Sequence, residues 1–422
     1  MNTSTIKILM FAPWFPPHRS SEAHTTGNLV LAMLKKGWQV DVVSEPRYEL
    51  FDKMELSSYW TKLSPHCYPV PIRKTQQSAF HSYIDKIKAL LTMKYPITGT
   101  SWARYAYKKA LKLHEQHNYD VVLSRSPATY GHIPALQFSK KTKIPWVPNW
   151  NDVEPASRSP YPYSLGRDNK ADFWTELFVQ NALNVASHHT LPSKRLLDYM
   201  SYWAPDLISN STVIPHIALE NDLDTDKIEK GEKFTICHAG IFDGSRDPTP
   251  LLLAMQMLIQ KYPNRSDKIE LHLLGNNFNS TFDYPIPDYV RNIIKVLPWC
   301  DYEQSLSIMK RSTVLMVVEA DMKEGIMLPA KLADYVHCRR PILSLSPPIG
   351  TMHDLIVDHG GGVVADCTSA DDIMMALGKL YSSWESGRLD VDYALHGIDA
   401  VIGEHAVMSI YAGIFSGLNV LK

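Results

Sequence analysis

One glycine and two basic residues stand where a phosphorylated ligand could be held. The segment CHAGIFDGSRDP carries Gly240 and Arg246 between a predicted strand and a predicted helix. A glycine permits close approach of the backbone to a ligand, and a guanidinium is a forked, permanently charged donor that suits a diphosphate. Lys331 would supply the second cation. The alternative for Arg246 is an ion pair with Asp243 or Asp247.

The chain also carries a carboxylate suited to binding a diol. Asp334 lies in the first turn of the predicted helix that Lys331 begins. A carboxylate there can accept two hydrogen bonds from vicinal hydroxyls, as the acidic ribose ligand of dinucleotide-binding folds does. The alternative is a helix-start aspartate stabilised by the helix dipole.

Short apolar runs and helical patterns predict the elements that would position these side chains. Strands are predicted at 6–11, 39–43, 121–124, 146–147, 187–191, 234–239, 269–274, 293–297, 314–318, 341–345 and 362–365. Helices are predicted at 22–36, 250–261, 302–310 and 371–381, and another begins at 331. Continuous apolar strands alternating with helices indicate parallel sheets, whose ligands bind at the carboxyl ends of the strands.

The element pattern restarts in the middle of the chain, which predicts two α/β domains. Residues 1–216 form the first, residues 217–232 an acid- and lysine-rich linker, and residues 233–399 the second. Linkers are typically poor in apolar residues, as this one is.

Composition excludes several classes of protein. A chain of 422 residues with 45% apolar and 21% charged residues is globular, and its net charge of −1 does not indicate a general nucleic-acid binder. The five cysteines form no CxxC pair, so neither a disulfide framework nor structural zinc is expected. We find no signal-peptide pattern and no apolar run long enough to span a membrane, so a cytoplasmic location is expected.

The segment PAKLADYVHCRRPIL resembles a known signature. It is similar to the P-S-K-x-x-E-Y-x-A-x-G-x-P-I-L motif of bacterial nucleotide-sugar glycosyltransferases of family 4, with Pro329, Lys331, Tyr335 and Pro341 in register. The resemblance implies the GT-B fold, an α/β architecture of two Rossmann-like domains facing a central cleft. It also implies a terminal helix at about 400–422 that packs back on the first domain.

The same resemblance implies an activity. The chain would be a retaining glycosyltransferase that moves a sugar from a nucleotide sugar to a sugar or lipid-linked saccharide acceptor, in the biosynthesis of a cell-surface polysaccharide such as capsule, O-antigen or exopolysaccharide. No metal and no cofactor would be required, because two fixed cations and a helix N-terminus can stabilise a leaving diphosphate. Two alternatives stay open: a non-catalytic nucleotide-sugar-binding or scaffold subunit, and a nucleotide-sugar epimerase.

The resemblance carries roles onto residues of the second half. Asp334 stands at the family's ribose-binding glutamate, whereas Ile326 stands where many relatives have a second glutamate. Glu324 and Gly325 resemble the family's E-G pair, so Glu324 is the candidate for the donor-sugar contact; the alternative is a solvated loop glutamate. Trp299 could stack on the base or simply pack. The predicted donor-binding residues are Gly240, Ser245, Arg246, Trp299, Gly325, Ile326, Met327, Leu328, Lys331 and Asp334.

The first half resembles the acceptor domain of the family less closely. In its opening segment, Ser20, Ser21 and Glu22 replace a glycine pair. His18, Ser21 and His24 are the acceptor-binding candidates. Asp152, in IPWVPNWNDVEP, stands at a family aspartate and could orient or deprotonate the acceptor hydroxyl; the alternative is a helix cap or turn. With Asp152, the predicted catalytic residues are Arg246, Glu324 and Lys331.

A basic and aromatic stretch predicts a further partner. Residues 73–112 contain nine Lys or Arg and one acid, Asp85, interleaved with aromatic and aliphatic residues. This pattern is typical of an interfacial patch, so peripheral contact with the anionic inner face of the plasma membrane is expected. The alternatives are an ordinary basic surface and a site for an anionic sugar acceptor.

Overall fold

The computed structural model describes residues 5–45, 57–71, 79–126, 129–164, 172–220, 232–240, 242, 245–275 and 285–421. The chain forms two compact units. The first comprises residues 1–159, 164–215 and 407–422, and the second comprises residues 160–163 and 216–406. Most of the predicted linker, from 221 to 231, lies outside the described residues.

The first unit contains a seven-stranded parallel sheet. Its strands are β1 (Lys7–Phe11), β2 (Gln39–Ser44), β3 (Cys67–Pro69), β4 (Val121–Arg125), β5 (Trp146–Asn149), β6 (His189–Leu191) and β7 (Ser211–Val213). They lie in the order β3-β2-β1-β4-β5-β6-β7. Ile8 to Phe11 are fully buried, as expected for a parallel strand covered on both faces.

The second unit contains a six-stranded parallel sheet. Its strands are β8 (Phe234–Ala239), β9 (Ile269–Leu274), β10 (Ile294–Leu297), β11 (Val314–Val318), β12 (Ile342–Ser346) and β13 (Gly362–Asp366). The order is β10-β9-β8-β11-β12-β13, so the chain reverses direction across the sheet between β8 and β11. Ligands of open α/β sheets bind at the carboxyl ends of the strands beside such a reversal.

Helices connect the strands of both sheets. In chain order they are α1 (Ser21–Lys35), α2 (Ser58–Leu63), α3 (Ala79–Met93), α4 (Thr100–His117), α5 (His132–Thr142), α6 (Asp172–Val185), α7 (Lys194–Ser201), α8 (Thr249–Lys261), α9 (Asp288–Arg291), α10 (Tyr302–Arg311), α11 (Lys331–His337), α12 (Thr351–His359), α13 (Ala370–Glu385), α14 (Leu389–Asp392), α15 (His396–Ile402) and α16 (Glu404–Gly417). Among the described residues, no helix is both long and apolar enough to cross a membrane.

Local sequence fixes the ends of α1, which borders the candidate site of the first unit. The Ser20 hydroxyl accepts a hydrogen bond from the Ala23 N–H (3.2 Å) and caps the helix. Gly37 ends it with a positive φ of 84°. The last helix, α16, returns to the first unit, where the buried Phe415 ring lies 5.2 Å from that of Trp38.

Candidate active site

The reversal point of the second sheet is built around Gly240. This residue follows β8 with φ of 138°, and its N–H donates to the Leu274 carbonyl at the end of β9 (3.0 Å). A β-carbon at Gly240 would lie 2.8 Å from the Lys331 Nζ, a distance that such atoms essentially never show. The missing side chain of Gly240 therefore makes room for the Lys331 ammonium beside the end of β8.

The buried Tyr335 holds α11 against these strands. Its hydroxyl donates to the Met316 carbonyl of β11 (3.0 Å) and accepts from the Ala239 N–H of β8 (3.2 Å). Since Lys331 lies four residues earlier on the helix, both residues share one face. Tyr335 therefore anchors the helix face on which Lys331 also lies, and this places the ammonium at the reversal point.

Asp334 lies on α11 with a defined partner. Its Oδ1 accepts a hydrogen bond from the Tyr302 hydroxyl at the start of α10 (2.5 Å). Burial raises the pKa of Asp334 to about 6, while the Tyr302 bond and the charge of Lys331 oppose that rise. The Tyr302 hydroxyl therefore orients the Asp334 carboxylate at the start of α11.

Arg246 is half-buried in the loop between β8 and α8. Its Nη2 donates to the Tyr163 hydroxyl (3.3 Å), and the guanidinium carbon lies 5.9 Å from the centre of that ring. Asp247 accepts instead from the Thr249 N–H at the start of α8 (2.8 Å). Asp243, the other partner considered for Arg246, lies outside the described residues. The charge of Arg246 acts on two buried groups, Glu319 and His238.

Glu319 is a buried acid that sequence reasoning missed. It is the first residue after β11, with 7% of its surface exposed. A β-carbon at Gly325 would lie 3.4 and 3.5 Å from the two carboxylate oxygens, so the carboxylate lies against that glycine. Burial raises the pKa of Glu319 to about 8, and the positive charge of Arg246 opposes the rise. Oε2 has no hydrogen-bond partner within the part of the chain that the structure describes.

His238 is the second buried group of this kind. It is fully buried on β8, and its Nδ1 lies 3.0 Å from the Met316 carbonyl, which can only accept. The proton therefore lies on Nδ1, and Nε2 is an acceptor in the neutral ring. Burial, then the charge of Lys331, holds the pKa of His238 well below its usual value. Nε2 has no partner among the residues described, and a β-carbon at Gly240 would lie 3.8 Å from it.

Backbone hydrogen bonds join the loop before α11 to the segment before α12. The Gly325 N–H donates to the Ile349 carbonyl (2.9 Å), and the Thr351 N–H donates to the Gly325 carbonyl (2.7 Å). The Gly325 N–H is therefore bonded within the chain, and the place of Gly325 among the donor-binding residues stays a prediction. Glu324 lies half-buried on the same loop. The acid whose carboxyl oxygens lie beside Gly325 is Glu319.

Trp299 lies at the same carboxyl edge of the sheet, after β10. Its side chain is 53% exposed, and its Cδ1 lies 4.0 Å from the position of a β-carbon at Gly275, which follows β9. The indole therefore covers the ends of β9 and β10 while part of it faces solvent. That exposure leaves it available to stack on a planar group.

The first unit has its own polar cluster at the reversal point between β1 and β4. Glu22, one of the residues replacing the glycine pair, is buried on α1 and accepts from Arg125 Nε (3.0 Å), Thr26 Oγ1 (3.0 Å) and Asn151 Nδ2 (2.6 Å). Burial raises the pKa of Glu22 and Arg125 opposes that rise; the negative charge of nearby Asp152 adds to it. Sequence reasoning noticed the substitution at Glu22 but not this cluster.

The acceptor candidates surround the start of α1. His18 is buried, stacks on Trp14 (5.3 Å between ring centres), and lies 3.1 Å from the Ser20 hydroxyl through Nδ1. Burial, then the charge of His18, lowers the pKa of His24 to about 4. Ser21 is exposed at the first helical position. His18, His24 and Ser21 thus lie together, and Asp152 is close enough to Glu22 to affect its titration.

No group of three or more His, Cys, Asp and Glu side chains close enough to hold a metal ion occurs among the described residues. The candidate site of the second unit thus contains two cations, Arg246 and Lys331, a half-buried acid, Asp334, a buried acid, Glu319, and the neutral imidazole of His238.

The chain is similar to known proteins in its structure but not detectably in its sequence. No protein-family model and no curated protein sequence matches it. HepE from Anabaena, solved with UDP and glucose, is similar with a TM-score of 0.62 and 11% identity, over 98% of this chain and 100% of HepE. Sucrose-phosphate synthase from Thermosynechococcus elongatus is similar with a TM-score of 0.65 and 13% identity, over 98% and 99%. The chain has the GT-B fold.

The GT-B likeness extends to a different kind of enzyme. A UDP-N-acetylglucosamine 2-epimerase is similar with a TM-score of 0.52 and 13% identity, over 99% of this chain and 97% of the epimerase. At such identities the likeness establishes the GT-B architecture but not the reaction. Function must therefore be argued from the side chains described above.

Proposed function

We propose that the chain transfers a sugar from a nucleotide-sugar donor to a sugar or lipid-linked saccharide acceptor. The observation that carries this proposal is the Lys331 ammonium beside Gly240, at the reversal point of the second sheet. Because Gly240 leaves room for this ammonium, a phosphate group that binds at the ends of β8 and β11 would be neutralised by it. The neighbouring charge of Arg246 supports the same use.

The two cations would bind the diphosphate of the donor. As the bond between sugar and diphosphate breaks, negative charge grows on the departing phosphate, and fixed cations stabilise that charge without reorganisation. Arg246 offers two parallel donors and Lys331 a point charge. We propose that these groups serve in place of a divalent metal.

The nucleoside would lie along α11 and the end of β10. Asp334, oriented by Tyr302, would accept hydrogen bonds from the ribose hydroxyls. Its pKa of about 6 leaves it mostly ionised at neutral pH, as an acceptor must be. Trp299 would stack on the base through its exposed face.

The donor sugar would meet Glu319 and His238. Each has a buried polar atom without a hydrogen-bond partner among the described residues, an acceptor in His238 and a carboxyl oxygen that can be protonated in Glu319, and such atoms are costly unless a ligand satisfies them. Sugar hydroxyls are suitable partners for both. We therefore assign the donor-sugar contact to Glu319 and keep Glu324 as the alternative.

The acceptor would bind to the first unit, near His18, Ser21, His24 and Asp152. A carboxylate such as Asp152 can orient an acceptor hydroxyl. In the retaining reaction that we propose, the departing phosphate takes the hydroxyl proton as the new bond forms on the same face of the sugar. The setting would be the inner face of the plasma membrane, in the biosynthesis of a surface polysaccharide.

A ligand screen tests the proposal. Unfolding temperatures are measured with UDP-, GDP-, ADP- and CMP-sugars, for the wild type and for Lys331→Met. A donor at about 100 times its Kd stabilises the folded protein by about 2.7 kcal/mol, so one nucleotide class should raise the midpoint by several degrees in the wild type and much less in the variant. Lys323→Met, an exposed lysine of the same unit, is the matched control. If none of the four classes shifts the midpoint, the proposal is wrong.

The epimerase neighbour makes an epimerase the second candidate. An epimerase converts its nucleotide sugar without an acceptor and releases no stoichiometric nucleotide. Incubation of the stabilising nucleotide sugar alone, followed by chromatography of the products, separates the two activities. Binding with neither product would favour a non-catalytic nucleotide-sugar-binding or scaffold subunit.

A further inference from the structure

Helix α3 carries an exposed apolar stripe on the first unit. Its members are Tyr83 (64% exposed), Ile87, Leu90 and Leu91 (76% exposed). They recur at the spacing of one helix face. Ala89 and Met93, on the opposite side of the helix, are buried. The helix therefore faces the protein with one stripe and presents large apolar side chains to its surroundings with the other.

Helix α6 carries a second exposed apolar stripe, which lies outside the stretch predicted from sequence. Phe173 is 64% exposed, Trp174 41% and Leu177 40%. Phe178, by contrast, is buried, and its ring centre lies 5.0 Å from that of Tyr95. As on α3, the exposed stripe is separate from the residues that hold the helix to the unit.

Side-chain contacts link α6 to the residue Tyr95, which follows α3, and to α5. Asn181 lies one turn beyond Leu177, and its Nδ2 donates to the hydroxyl of Tyr95 (2.5 Å), two residues after the end of α3. The Lys140 Nζ, at the end of α5, donates to Asn181 Oδ1 (3.2 Å). Both α3 and α6 pack against α5, and we call their exposed stripes together the α3–α6 face.

The described side chains that border the α3–α6 face include several lysines, whereas the side chains of Asp85, Lys86 and Asp172 lie outside the described ones. Lys88 and Lys94 are exposed on and just beyond α3. Burial, then the charge of Lys94, lowers the pKa of Lys140, so these two lysines lie near each other. Glu176, an acid on α6, is held by Arg158 through a 2.6 Å ion pair.

We infer that the α3–α6 face rests on an anionic lipid bilayer. Exposed aromatic and aliphatic side chains bordered by lysines are the composition of surfaces that insert into the headgroup region. A second copy of the chain suits the face less well, because symmetric pairing would bring like-charged lysines together. Membrane contact deepens the proposed function, since a lipid-linked acceptor would be met at that surface.

The structure also revises which residues make the contact. Within the predicted stretch 73–112, Tyr95 and Trp102 are buried, so they do not reach a membrane. Residues 72–78 lie outside the described residues. Phe173, Trp174 and Leu177 add apolar surface that the sequence did not assign to the patch.

Vesicle flotation of the full chain tests the inference, without donor or acceptor. Vesicles of phosphatidylcholine alone are compared with vesicles that also contain phosphatidylglycerol. We expect flotation with the anionic vesicles only, and weaker flotation as salt rises. Leu91→Ser and Trp174→Ser should each weaken binding several-fold, and Lys88→Glu about fivefold or more. Ile208→Ser and Lys62→Glu, both exposed elsewhere on the first unit, should bind as the wild type does.

Other outcomes overturn the inference. Equal flotation with both vesicle types, no flotation, or equal losses in the control variants would each do so. Self-association that Leu91→Ser abolishes, measured by sedimentation in the absence of lipid, would assign the face to a second copy instead. Because no nucleotide is present, failure here leaves the donor-binding screen unaffected, and failure of that screen leaves lipid binding unaffected.

Discussion

The Lys331 ammonium lies 2.8 Å from the point where a β-carbon on Gly240 would stand. Because Gly240 has no side chain, the Lys331 ammonium can lie beside it. Its φ of 138° is also a conformation that other residues rarely adopt. The backbone conformation therefore favours glycine at the end of β8, and any larger residue would also make the Lys331 ammonium shift.

Gly240→Ala should displace Lys331 and weaken donor binding about tenfold or more. The strained φ should also lower the free energy of unfolding by about 1–3 kcal/mol. Gly378→Ala is the control, because a β-carbon there meets nothing within 4 Å. Calorimetric titration with the stabilising nucleotide sugar gives the affinity, and urea unfolding gives the stability. Unchanged affinity in Gly240→Ala would contradict the proposed use of Lys331.

Tyr302→Phe should shift the pH dependence of nucleotide binding. The Tyr302 hydrogen bond favours the ionised form of Asp334, so its loss should move the pKa of Asp334 above its value of about 6. Less of the carboxylate is then ionised at neutral pH, and the decline of affinity on acidification should begin at a higher pH. Affinities measured from pH 5 to pH 8 check this. A profile that matches the wild type, or one that moves equally in the control Tyr289→Phe, would remove Tyr302 as the positioning residue.

Glu319→Gln should alter the pH dependence of stability in a defined direction. The glutamate pKa is about 8 in the folded protein against 4.5 in the reference state. Between these values the folded protein binds the extra proton, so the free energy of unfolding falls as pH rises. Glutamine cannot titrate, and the variant should lose less stability than the wild type between pH 5 and pH 8. If the wild type and Glu319→Gln lose the same free energy of unfolding between pH 5 and pH 8, Glu319 does not bind the extra proton in the folded state.

Arg246→Ala should lose about 10²–10³-fold in turnover while remaining folded, because a fixed charge would no longer stabilise the departing phosphate. The readout is acceptor-dependent nucleotide release. Arg291→Ala, exposed on α9, controls for the loss of a positive charge from the same unit. Normal turnover in Arg246→Ala would remove the phosphate assignment.

The sequence predicted the parts of the fold that are written in local patterns. The strands 234–239, 269–274 and 314–318 are present with those bounds. The last is a fully buried apolar run, as expected of a parallel strand covered on both faces. The other two include polar residues but are apolar at most positions. The strands β3 and β7 were not predicted, since each has only three residues and lies at a sheet edge. Neither strand contains a buried residue, whereas β6, which is equally short, is fully buried and was predicted within 187–191.

Some residues of the candidate site could be predicted from the sequence, and others could not. Lys331, Asp334 and Tyr335 share one short helix, so their spacing in the sequence already fixes their arrangement. Glu319 owes its position to burial at the end of β11 and to Gly325 on a loop, and neither is visible in local sequence. His238 looks like an ordinary strand residue until the contact of its Nδ1 with Met316 is known.

The pairing of Glu22 with Arg125 yields the last prediction. Both side chains are buried, and each is the charge partner of the other (3.0 Å). Glu22→Ala leaves the guanidinium buried without this carboxylate and should lower the free energy of unfolding by about 3–5 kcal/mol. Removing both charges in Glu22→Ala with Arg125→Met should cost less than the sum of the two single changes, because no isolated charge remains. Urea unfolding of the four proteins gives the coupling energy. Additive losses would show that Glu22 and Arg125 stabilise the first unit independently, and that their charges are not coupled.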